Sequence, residues 1–454
     1  MIIQRIVLQS TIQCLTPFHV GSGNSENTDM DILSDENDIP VITASGLIGA
    51  LKDAIRLDPH IEASKKKQLD EFWGFTDNED GHESLLWCPD LICKTESPVL
   101  VIRDGIKIDD ATCRPREQGK YDFELVERNT RFDFEMTFDC RYEEDVDFVK
   151  QMAHTLYDIL KNSRLQIGAM TNNGLVKIRI DPTDTRIYCY NFAKKQDVFD
   201  WLASGDESPV TQLIRPEDLG DHFAVVNPFV FSIEADFRLK NSMIIRASDE
   251  DPKKPDAAQS DAAHIRSLGQ AIIPGKSAKG AIRSRAKKIL RTLGKPPSIL
   301  NDLFGYVSDS HPVNDKKRGK VIVSESLLHD YVAELQTRIT INRLSQGTIN
   351  TRLFDSMPIF SRLNTGENIV KLELRAKDIS KAQAGLLLLV LKDLWTGDLA
   401  LGGEKGIGRG VLEGIWTKIT YGDNTYIIEG NILAIDQKIK DELNKFVKEL
   451  EKTA

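Results

Sequence analysis

The chain has 454 residues, of which 41% are apolar, and its formal net charge is −10. This length suits two to three domains, and the negative charge argues against a non-specific nucleic-acid coat, which is normally basic. Six scattered cysteines fit a reducing compartment, and the longest apolar run, residues 384–391, is too short to span a bilayer. We therefore expect a cytoplasmic protein with no membrane partner.

The first half of the chain predicts a series of strands and two helices. Leu47, Leu51 and Ile55 are spaced as residues on one face of an amphipathic helix. A second helix is expected at 146–161. Alternation of apolar and polar residues predicts strands at 4–13, 130–138 and 175–180.

The second half repeats these signals at an almost constant distance. Segment 42–52 is echoed by segment 273–283, 231 residues later, and Gly168 recurs as Gly402, 234 residues later. A period this long indicates a duplicated domain rather than a solenoid repeat. The corresponding elements are strands at 229–237, 368–374 and 411–419, and helices near 278–290 and 380–394.

The order of these elements predicts an α+β fold in which a split βαβ, ferredoxin-like unit is used twice. Residues 182–222 match nothing in the other half, and a charged stretch near the C-terminus predicts a surface helix at 436–452. We expect a first domain at 1–181, a linker or inserted subdomain at 182–222, a second domain at 223–425, and a C-terminal extension with a helix at 426–454.

A glycine-rich loop follows the last predicted helix of the second domain. Glycine permits positive φ and lets backbone N–H groups approach a phosphate, although a simple tight turn is the alternative interpretation. The first-half version, 168–174, keeps only two glycines, which weakens the argument for that half. The candidate anion-binding residues of the second loop are Gly402, Gly403, Lys405, Gly408 and Arg409.

A basic segment at 273–291 contains seven cations and no acid. Lys276 and Lys279 lie in the first turns of the predicted helix, and Arg283 follows on the next turn. The helix dipole favours acids at that end, so these cations indicate a bound polyanion. A solvated basic helix face is the alternative.

Two insertions of similar composition and one acidic loop complete the pattern. Residues 103–109 lead to 121–124, and residues 338–343 lead to 353–355, as the strands of extended hairpins would. Asp29 and Asp31 follow a Gly-Ser-Gly turn. Acids beside a phosphate track are costly unless they bind metal, stay clear of the strand or act chemically.

Together these motifs resemble the RAMP superfamily, and specifically the backbone subunits of type III CRISPR effector complexes. The resemblance rests on Gly21-Ser22-Gly23 with Asp29, on residues 45–49, on the two hairpins, and on 273–280 with loop 402–410. Thr43-Ala44 replaces the expected Pro-Gly in the first half. The resemblance implies two tandem RRM-like RAMP domains with "thumb" hairpins, as in type III-D-like systems.

The resemblance also implies partners and functional residues. Members of this kind stack along a guide RNA with other subunits of the complex, and a loop aspartate supports metal-dependent cleavage of the target RNA. Asp29 is the first catalytic candidate, with Asp31 as its fallback, and Asp261 is the second-half candidate. The cofactor would be Mg²⁺ or Mn²⁺, bound at Asp29 and Asp261. The implied RNA-binding residues are Ser45, Lys52, Arg103, Lys276, Lys279, Arg283, Arg338, Arg343, Gly402, Gly403, Lys405, Gly408 and Arg409.

The leading hypothesis is therefore an endoribonuclease subunit that holds guide RNA and cuts target RNA. A non-catalytic RNA-binding scaffold of the same complex is the alternative, with Asp29 and Asp261 as solvated loop acids. A guide-processing ribonuclease with His19 as general base is a third interpretation, because His19 lies near the first glycine turn.

Overall fold

The computed structural model shows a mixed α+β protein with two sheet-rich halves. Within the described part of the chain, no helix is both long enough and apolar enough to cross a membrane. The structure describes residues 2–23, 25–55, 59–76, 81–109, 115–163, 165–203, 212–225, 229–247, 260–307, 316–362, 369–430 and 435–453.

Among its described residues, the first half forms four helices and a six-stranded sheet. The sheet has the strand order β12-β11-β1-β9-β5, with β10 also paired to β1, and the hairpin β7–β8 is separate from it. The helices are α1 (Ala44–Ala54), α2 (Pro59–Trp73), α3 (Val146–Lys161) and α4 (Lys195–Ala203). The strands are β1 (Gln4–Cys14), β2 (Val41–Ile42), β3 (Phe75–Thr76), β4 (Gly81–His82), β5 (Leu86–Trp87), β6 (Leu91–Ile92), β7 (Leu100–Ile108), β8 (Pro115–Val126), β9 (Arg131–Cys140), β10 (Ile178–Ile180), β11 (Arg186–Asn191) and β12 (Leu213–Ile214).

In the second half, the described strands form a five-stranded main sheet in the order β20-β26-β13-β27-β28. Its second hairpin, β23–β24, lies outside that sheet and pairs through β24 with the short β15. The helices are α5 (Gly275–Thr292), α6 (Ser298–Phe304), α7 (Lys381–Trp395) and α8 (Gln437–Lys452). The strands are β13 (Phe229–Leu239), β14 (Ser242–Met243), β15 (Ala262–Ala263), β16 (Arg266–Ser267), β17 (Gln270–Ile273), β18 (Gly305–Val307), β19 (Lys316–Arg318), β20 (Val321–Val323), β21 (Ser326–Leu327), β22 (Tyr331–Ala333), β23 (Gln336–Ile341), β24 (Thr348–Met357), β25 (Ile359–Ser361), β26 (Ile369–Lys377), β27 (Leu412–Tyr421) and β28 (Asn424–Glu429).

The main elements predicted from periodicity are confirmed. The helix expected at 146–161 has those bounds, and its apolar face, including Met152 and Leu156, is buried. Helix α1 begins after Thr43, whose hydroxyl accepts the N–H of Gly46 at 3.3 Å as an N-cap. Strand β10 is shorter than the predicted strand at 175–180, because Val176 adopts a left-handed φ of +66° that interrupts the extended backbone.

Part of the stretch expected as a linker or inserted subdomain is built into the first sheet. Strand β11 pairs with β1 from Gln4 to Gln9, and β12 extends the sheet at its edge. Residues 204–211 of the same stretch lie outside the described residues. The C-terminal helix α8 is also less superficial than expected, since Phe446 and Leu450 are buried in the core beside α7.

The chain divides into two compact units whose bounds cross the sequence halves. The first hairpin and the short loop at 170–175 belong to the second unit rather than to the first. The first unit comprises 1–100, 125–169 and 176–227, and the second comprises 101–124, 170–175 and 228–454.

Two glycines of the second unit give opposite predictions for stability. A Cβ at Gly414 would overlap the ring of Trp395, whereas a Cβ at Gly280, on helix α5, would meet open space. We expect Gly414→Ala to lower the free energy of unfolding by about 1–3 kcal/mol through overpacking. Gly280→Ala should raise it by about 0.5–1 kcal/mol, because alanine is the better helix former. Urea denaturation of both variants measures the free energy of unfolding. Equal changes in the two variants would contradict the close packing of Gly414 against Trp395.

Candidate nucleic-acid interface

The first lysine of helix α5 contacts aromatic rings of the first hairpin. The Lys276 ammonium lies 3.9 Å from the ring centroid of Tyr121 and 5.1 Å from that of Phe123, and it donates a hydrogen bond to the Tyr121 hydroxyl. Gly105 makes this approach possible, because a Cβ there would overlap both Lys276 and Tyr121. Lys276 therefore fixes the hairpin by a cation–π contact, which the sequence did not indicate.

A buried ion pair holds the base of the same hairpin. Arg103 Nη1 lies 2.6 Å from Glu325 Oε2, and the two side chains are only 7% and 4% exposed. Beside them is a cavity of about 60 Å³, lined also by Asp104 and Lys276. That volume suits water rather than a nucleobase. Arg103 was predicted to bind RNA, but its guanidinium is buried and forms an ion pair with Glu325.

Three cations of the second unit, Lys279, Arg283 and Arg318, lie close together. The Lys279 ammonium donates to the Asn172 carbonyl oxygen at 3.2 Å, and Arg318 donates to the Thr171 hydroxyl at 2.6 Å. Burial, then the charges of Arg318 and Arg283, lower the pKa of Lys279 to about 8. Like charges held this close are costly, and an anion bound among them would relieve that cost. Arg318 is a site residue that the sequence analysis missed.

Two charged residues of the glycine-rich loop, Glu404 and Arg409, are paired with each other, and Glu404 is also paired with Arg338 of the second hairpin. Glu404 Oε2 lies 2.7 Å from Arg338 and 2.9 Å from Arg409, and Arg409 is 2% exposed. Gly402 has φ +87° and packs against the Ile244 carbonyl, and the N–H of Gly403 donates to the same oxygen at 2.8 Å. Arg338, Arg409, Gly402 and Gly403 therefore hold the loop in shape through contacts within the protein.

The tip of that loop is exposed and has the same backbone shape as its first-half counterpart. Glu404 and Gly408 have left-handed φ values of +54° and +84° around a 3₁₀ turn at 405–407. Met170 and Gly174 have φ values of +57° and +77° around a 3₁₀ turn at 171–173. The loss of glycines in the first-half loop has therefore not changed its geometry.

Four other side chains predicted to bind RNA, one serine and three cations, are exposed. Lys405 lies on the tip of the glycine-rich loop, and Arg343 lies in the turn of the second hairpin. In the first unit, Ser45 is on the first turn of α1, and the Lys52 ammonium lies 5.9 Å from the Trp73 ring centroid. These side chains are accessible to a phosphate backbone.

The two neighbouring acids of the first unit have different environments. Asp31 is 6% exposed, and its carboxylate accepts the N–H groups of Glu26, Asn27 and Thr28 and the Thr28 hydroxyl, at 2.6–3.2 Å. Burial raises the pKa of Asp31, but these hydrogen bonds together hold it below its ordinary value. Asp31 therefore organises the loop, and the exposed Asp29 is the acid that the loop presents.

The candidate acid of the second unit is attached to the second hairpin. Asp261 is exposed, and its Oδ2 accepts the N–H of Asp355 in β24 at 2.8 Å. Immediately after it, β15 pairs in parallel with Ser356 and Met357 of the same strand. The carboxylate is therefore fixed at the base of the hairpin.

The structure gives little support to catalysis by His19 or to a metal site built from side chains of the described residues alone. His19 is 1% exposed, so it is not accessible as a general base for a guide-processing reaction. Within the ranges that the structure covers, no group of three or more His, Cys, Asp or Glu side chains is placed so that it could hold a metal ion. A cation at Asp29 or Asp261 would therefore take most of its ligands from RNA and water, which Mg²⁺ accepts.

The two half-buried lysines predict a pH dependence of stability. Burial lowers the pKa values of Lys276 and Lys279 from 10.5 to about 8. Between about pH 8 and pH 10.5 the unfolded chain then binds protons that the folded chain has released, so stability rises with pH in this window. We expect the wild type to gain stability from pH 8 to pH 10 relative to a Lys276→Met, Lys279→Met variant.

Urea midpoints at both pH values give the measurement. A Lys438→Met, Lys440→Met variant, changed on the exposed face of α8, is the control and should follow the wild type. If the urea midpoints of the Lys276→Met, Lys279→Met variant and of the wild type change equally between the two pH values, the result would contradict the burial of these ammonium groups.

Comparison with known proteins identifies the family. The sequence matches the RAMP superfamily over residues 11–175 and 258–413, one segment in each half and together well over half of the chain. A search of curated proteins found no match. Membership of this superfamily implies a CRISPR-associated RNA-binding protein, and RAMP proteins bind CRISPR RNA within CRISPR complexes. With both halves matched in tandem, the chain belongs to the RAMP superfamily.

Proposed function

We propose that this chain is a backbone subunit of a type III CRISPR effector complex, in a two-repeat form similar to type III-D systems. Its two ferredoxin-like, RRM-like repeats bind guide RNA, and it cleaves complementary target RNA. The βαββαβ series of elements in each half supports the repeat assignment. The superfamily match supports binding of CRISPR RNA.

One observation carries the proposal of cleavage. Asp261 is an exposed carboxylate whose position is tied by a hydrogen bond to the hairpin strand at Asp355. A hairpin that distorts an RNA duplex and an acid fixed at its base would act on the same phosphodiester. The rigid loop around Asp31 gives Asp29 an equally defined position in the first unit.

These acids do not need to supply the attacking group, because the RNA carries it. RNA is cut by its own 2′-hydroxyl when that oxygen lies in line with the phosphorus. A positioned carboxylate orients the hydroxyl or accepts its proton, which contributes a factor of about 10²–10⁴ to the rate. A Mg²⁺ or Mn²⁺ ion held by Asp29 or Asp261 and the RNA would supply charge stabilisation.

Guide binding follows from the cation cluster of Lys279, Arg283 and Arg318. Its positive charge contrasts with the net charge of −10 of the whole chain, so the attraction for a polyanion is local. Contacts of this kind go to phosphates and carry no base information. The cluster therefore suits a guide whose sequence varies.

The first prediction here concerns salt dependence. Arg283→Gln with Arg318→Gln should weaken binding of single-stranded RNA equally for unrelated sequences. The slope of log affinity against log salt should fall by about 0.7 for each lost phosphate contact. Arg291→Gln, an exposed change at the far end of α5, is the matched control. An unchanged slope in the double variant would remove the cluster from the RNA interface.

The second prediction concerns cleavage by the assembled complex. Asp29→Ala should remove one target cleavage product and Asp261→Ala a different one, each with a rate loss of at least about 100-fold and with RNA binding retained. Chelation of divalent metal should suppress both products. Glu36→Gln, an exposed change near the same loop, should leave the products unaltered. If a variant lacking both Asp29 and Asp261 still yields every product, the chain is a scaffold and another subunit cuts.

A further inference from the structure

A buried histidine lies three residues after the candidate acid Asp261. His264 is 3% exposed, its Nδ1 accepts the N–H of Ile245 at 3.1 Å, and its Nε2 lies 3.0 Å from the carbonyl oxygen of Ile272. A carbonyl oxygen can only accept, so Nε2 carries the proton and the ring is neutral. Burial lowers the pKa of His264 from 6.5 to about 4, which keeps this neutral form at neutral pH. Both ring nitrogens are therefore committed to backbone groups.

The contact with Ile245 replaces a regular hydrogen bond between two strands. The Ile265 N–H donates to the Ile245 carbonyl at 2.8 Å, and in a regular antiparallel pair the Ile245 N–H would donate back to the Ile265 carbonyl. That carbonyl instead accepts the N–H of Ile272 at 3.3 Å. The ring of His264 thus takes the place of a backbone carbonyl and joins the segments 243–247 and 270–273.

The backbone around His264 also holds Asp261 to the second hairpin. The His264 N–H donates to the Met357 carbonyl at 3.1 Å, and the Asp355 N–H donates to Asp261 Oδ2 at 2.8 Å. Strand β15 lies between these two contacts and pairs with the same hairpin strand. Because alternate residues of a strand face opposite sides, the burial of His264 turns Asp261 outward. The ring therefore anchors the segment that presents the carboxylate.

The same ring is connected to two elements of the candidate RNA interface. Helix α5 begins at Gly275, three residues after Ile272. On the other side of the ring, the carbonyl of Ile244, the neighbour of Ile245, accepts the N–H of Gly403 in the glycine-rich loop at 2.8 Å. One imidazole thus links the acid-bearing segment to the start of the basic helix and to the segment that holds the glycine-rich loop.

The first unit also buries a histidine on the strand pair that closes its acid loop, but on the other strand. Two matching backbone hydrogen bonds fix the correspondence between the units: Leu33 N–H to Val20 O at 2.7 Å with Ile265 N–H to Ile245 O at 2.8 Å, and Ser22 N–H to Asp31 O at 3.1 Å with Ala247 N–H to Ala263 O at 3.0 Å. On this register the buried pair Ile244 and His264 corresponds to His19 and Ile32, which are also buried.

This exchange indicates a polar role for the imidazole. The same register aligns Asp29 with Asp261, so each unit combines one exposed acid with one buried histidine. Burying a polar ring costs free energy unless the ring is hydrogen-bonded, and an aliphatic side chain would fill the same space without that cost. A histidine at either of two neighbouring positions therefore serves more than packing.

We propose that His264 is a positioning residue for Asp261: its ring fixes the carboxylate relative to helix α5, so that RNA held by the cations of α5 is cut at one defined phosphodiester. Because His264 is buried, it acts through Asp261 and not on the RNA itself. The inference rests on the proposed function, in which Asp261 supports cleavage. A misplacement of about 1 Å in such a group costs about 100-fold in rate.

The test uses the assembled complex and follows the Asp29-dependent and Asp261-dependent products separately. His264→Leu removes both ring contacts with a side chain of similar size. It should lower kcat for the Asp261-dependent product about 10- to 100-fold, with KM and the Asp29-dependent product unchanged. Binding of single-stranded RNA, to which α5 of the same unit contributes, should be retained. His329→Leu, the same change at an exposed position, is the matched control and should cut at the wild-type rate.

Two conservative variants separate positioning from packing. His264→Asn keeps an acceptor near Nδ1 for the Ile245 N–H, and His264→Gln keeps a donor near Nε2 for the Ile272 carbonyl. Each should cut faster than His264→Leu and more slowly than the wild type, because each retains one of the two contacts. If both cut as slowly as His264→Leu, the hydrogen bonds of the ring do not position the acid and the inference is overturned.

The same assay distinguishes this inference from the function on which it rests. If Asp261→Ala removes its product while His264→Leu cuts at the wild-type rate, the positioning role is overturned and the proposed function stands. If Asp261→Ala leaves every product in place, Asp261 is not catalytic and both are overturned. Loss of RNA binding together with cleavage in all three His264 variants would assign the ring to the fold alone and overturn the positioning role.

Discussion

The second unit depends on the buried ion pair between Arg103 and Glu325. Taking two charges out of water costs several kcal/mol each, and removing one partner leaves the other uncompensated, at a cost of about 3–5 kcal/mol. The pair therefore tolerates neither loss nor displacement of the first hairpin. Lys276, held over Tyr121 and Phe123, adds a second fixed point on the same element. A hairpin anchored twice can impose a defined geometry on RNA.

The periodic elements were predictable because they depend on local spacing. The apolar stripes of α1 and α3 follow from residues within a few turns of one another. The roles of Arg103 and Lys276 were not predictable, because their partners lie 222 and 155 residues away in sequence. The dipole argument marked Lys276 as unusual, and the structure shows its ammonium over the rings of Tyr121 and Phe123.

The different environments of the two neighbouring acids, Asp29 and Asp31, could not be predicted either, although they are only two residues apart. The sequence ranked Asp29 ahead of Asp31 only by resemblance, and the structure shows that Asp31 accepts four hydrogen bonds while Asp29 is exposed. Arg318 carried no motif, and its importance arises from its proximity to Lys279. The glycine count misjudged the first-half loop, because Val176 adopts the left-handed conformation, with φ +66°, in place of Gly410, with φ +77°. Side-chain environment, rather than residue type, separates these roles.

The assignment of residues 101–124 to the second unit also constrains synthesis of the chain. The hairpin leaves the ribosome long before Glu325, its ion-pair partner, which follows Arg103 by 222 residues. At about 5–20 residues per second, the hairpin waits roughly 10–45 s for that partner. During this interval its exposed strand edges and aromatic side chains are open to wrong pairing.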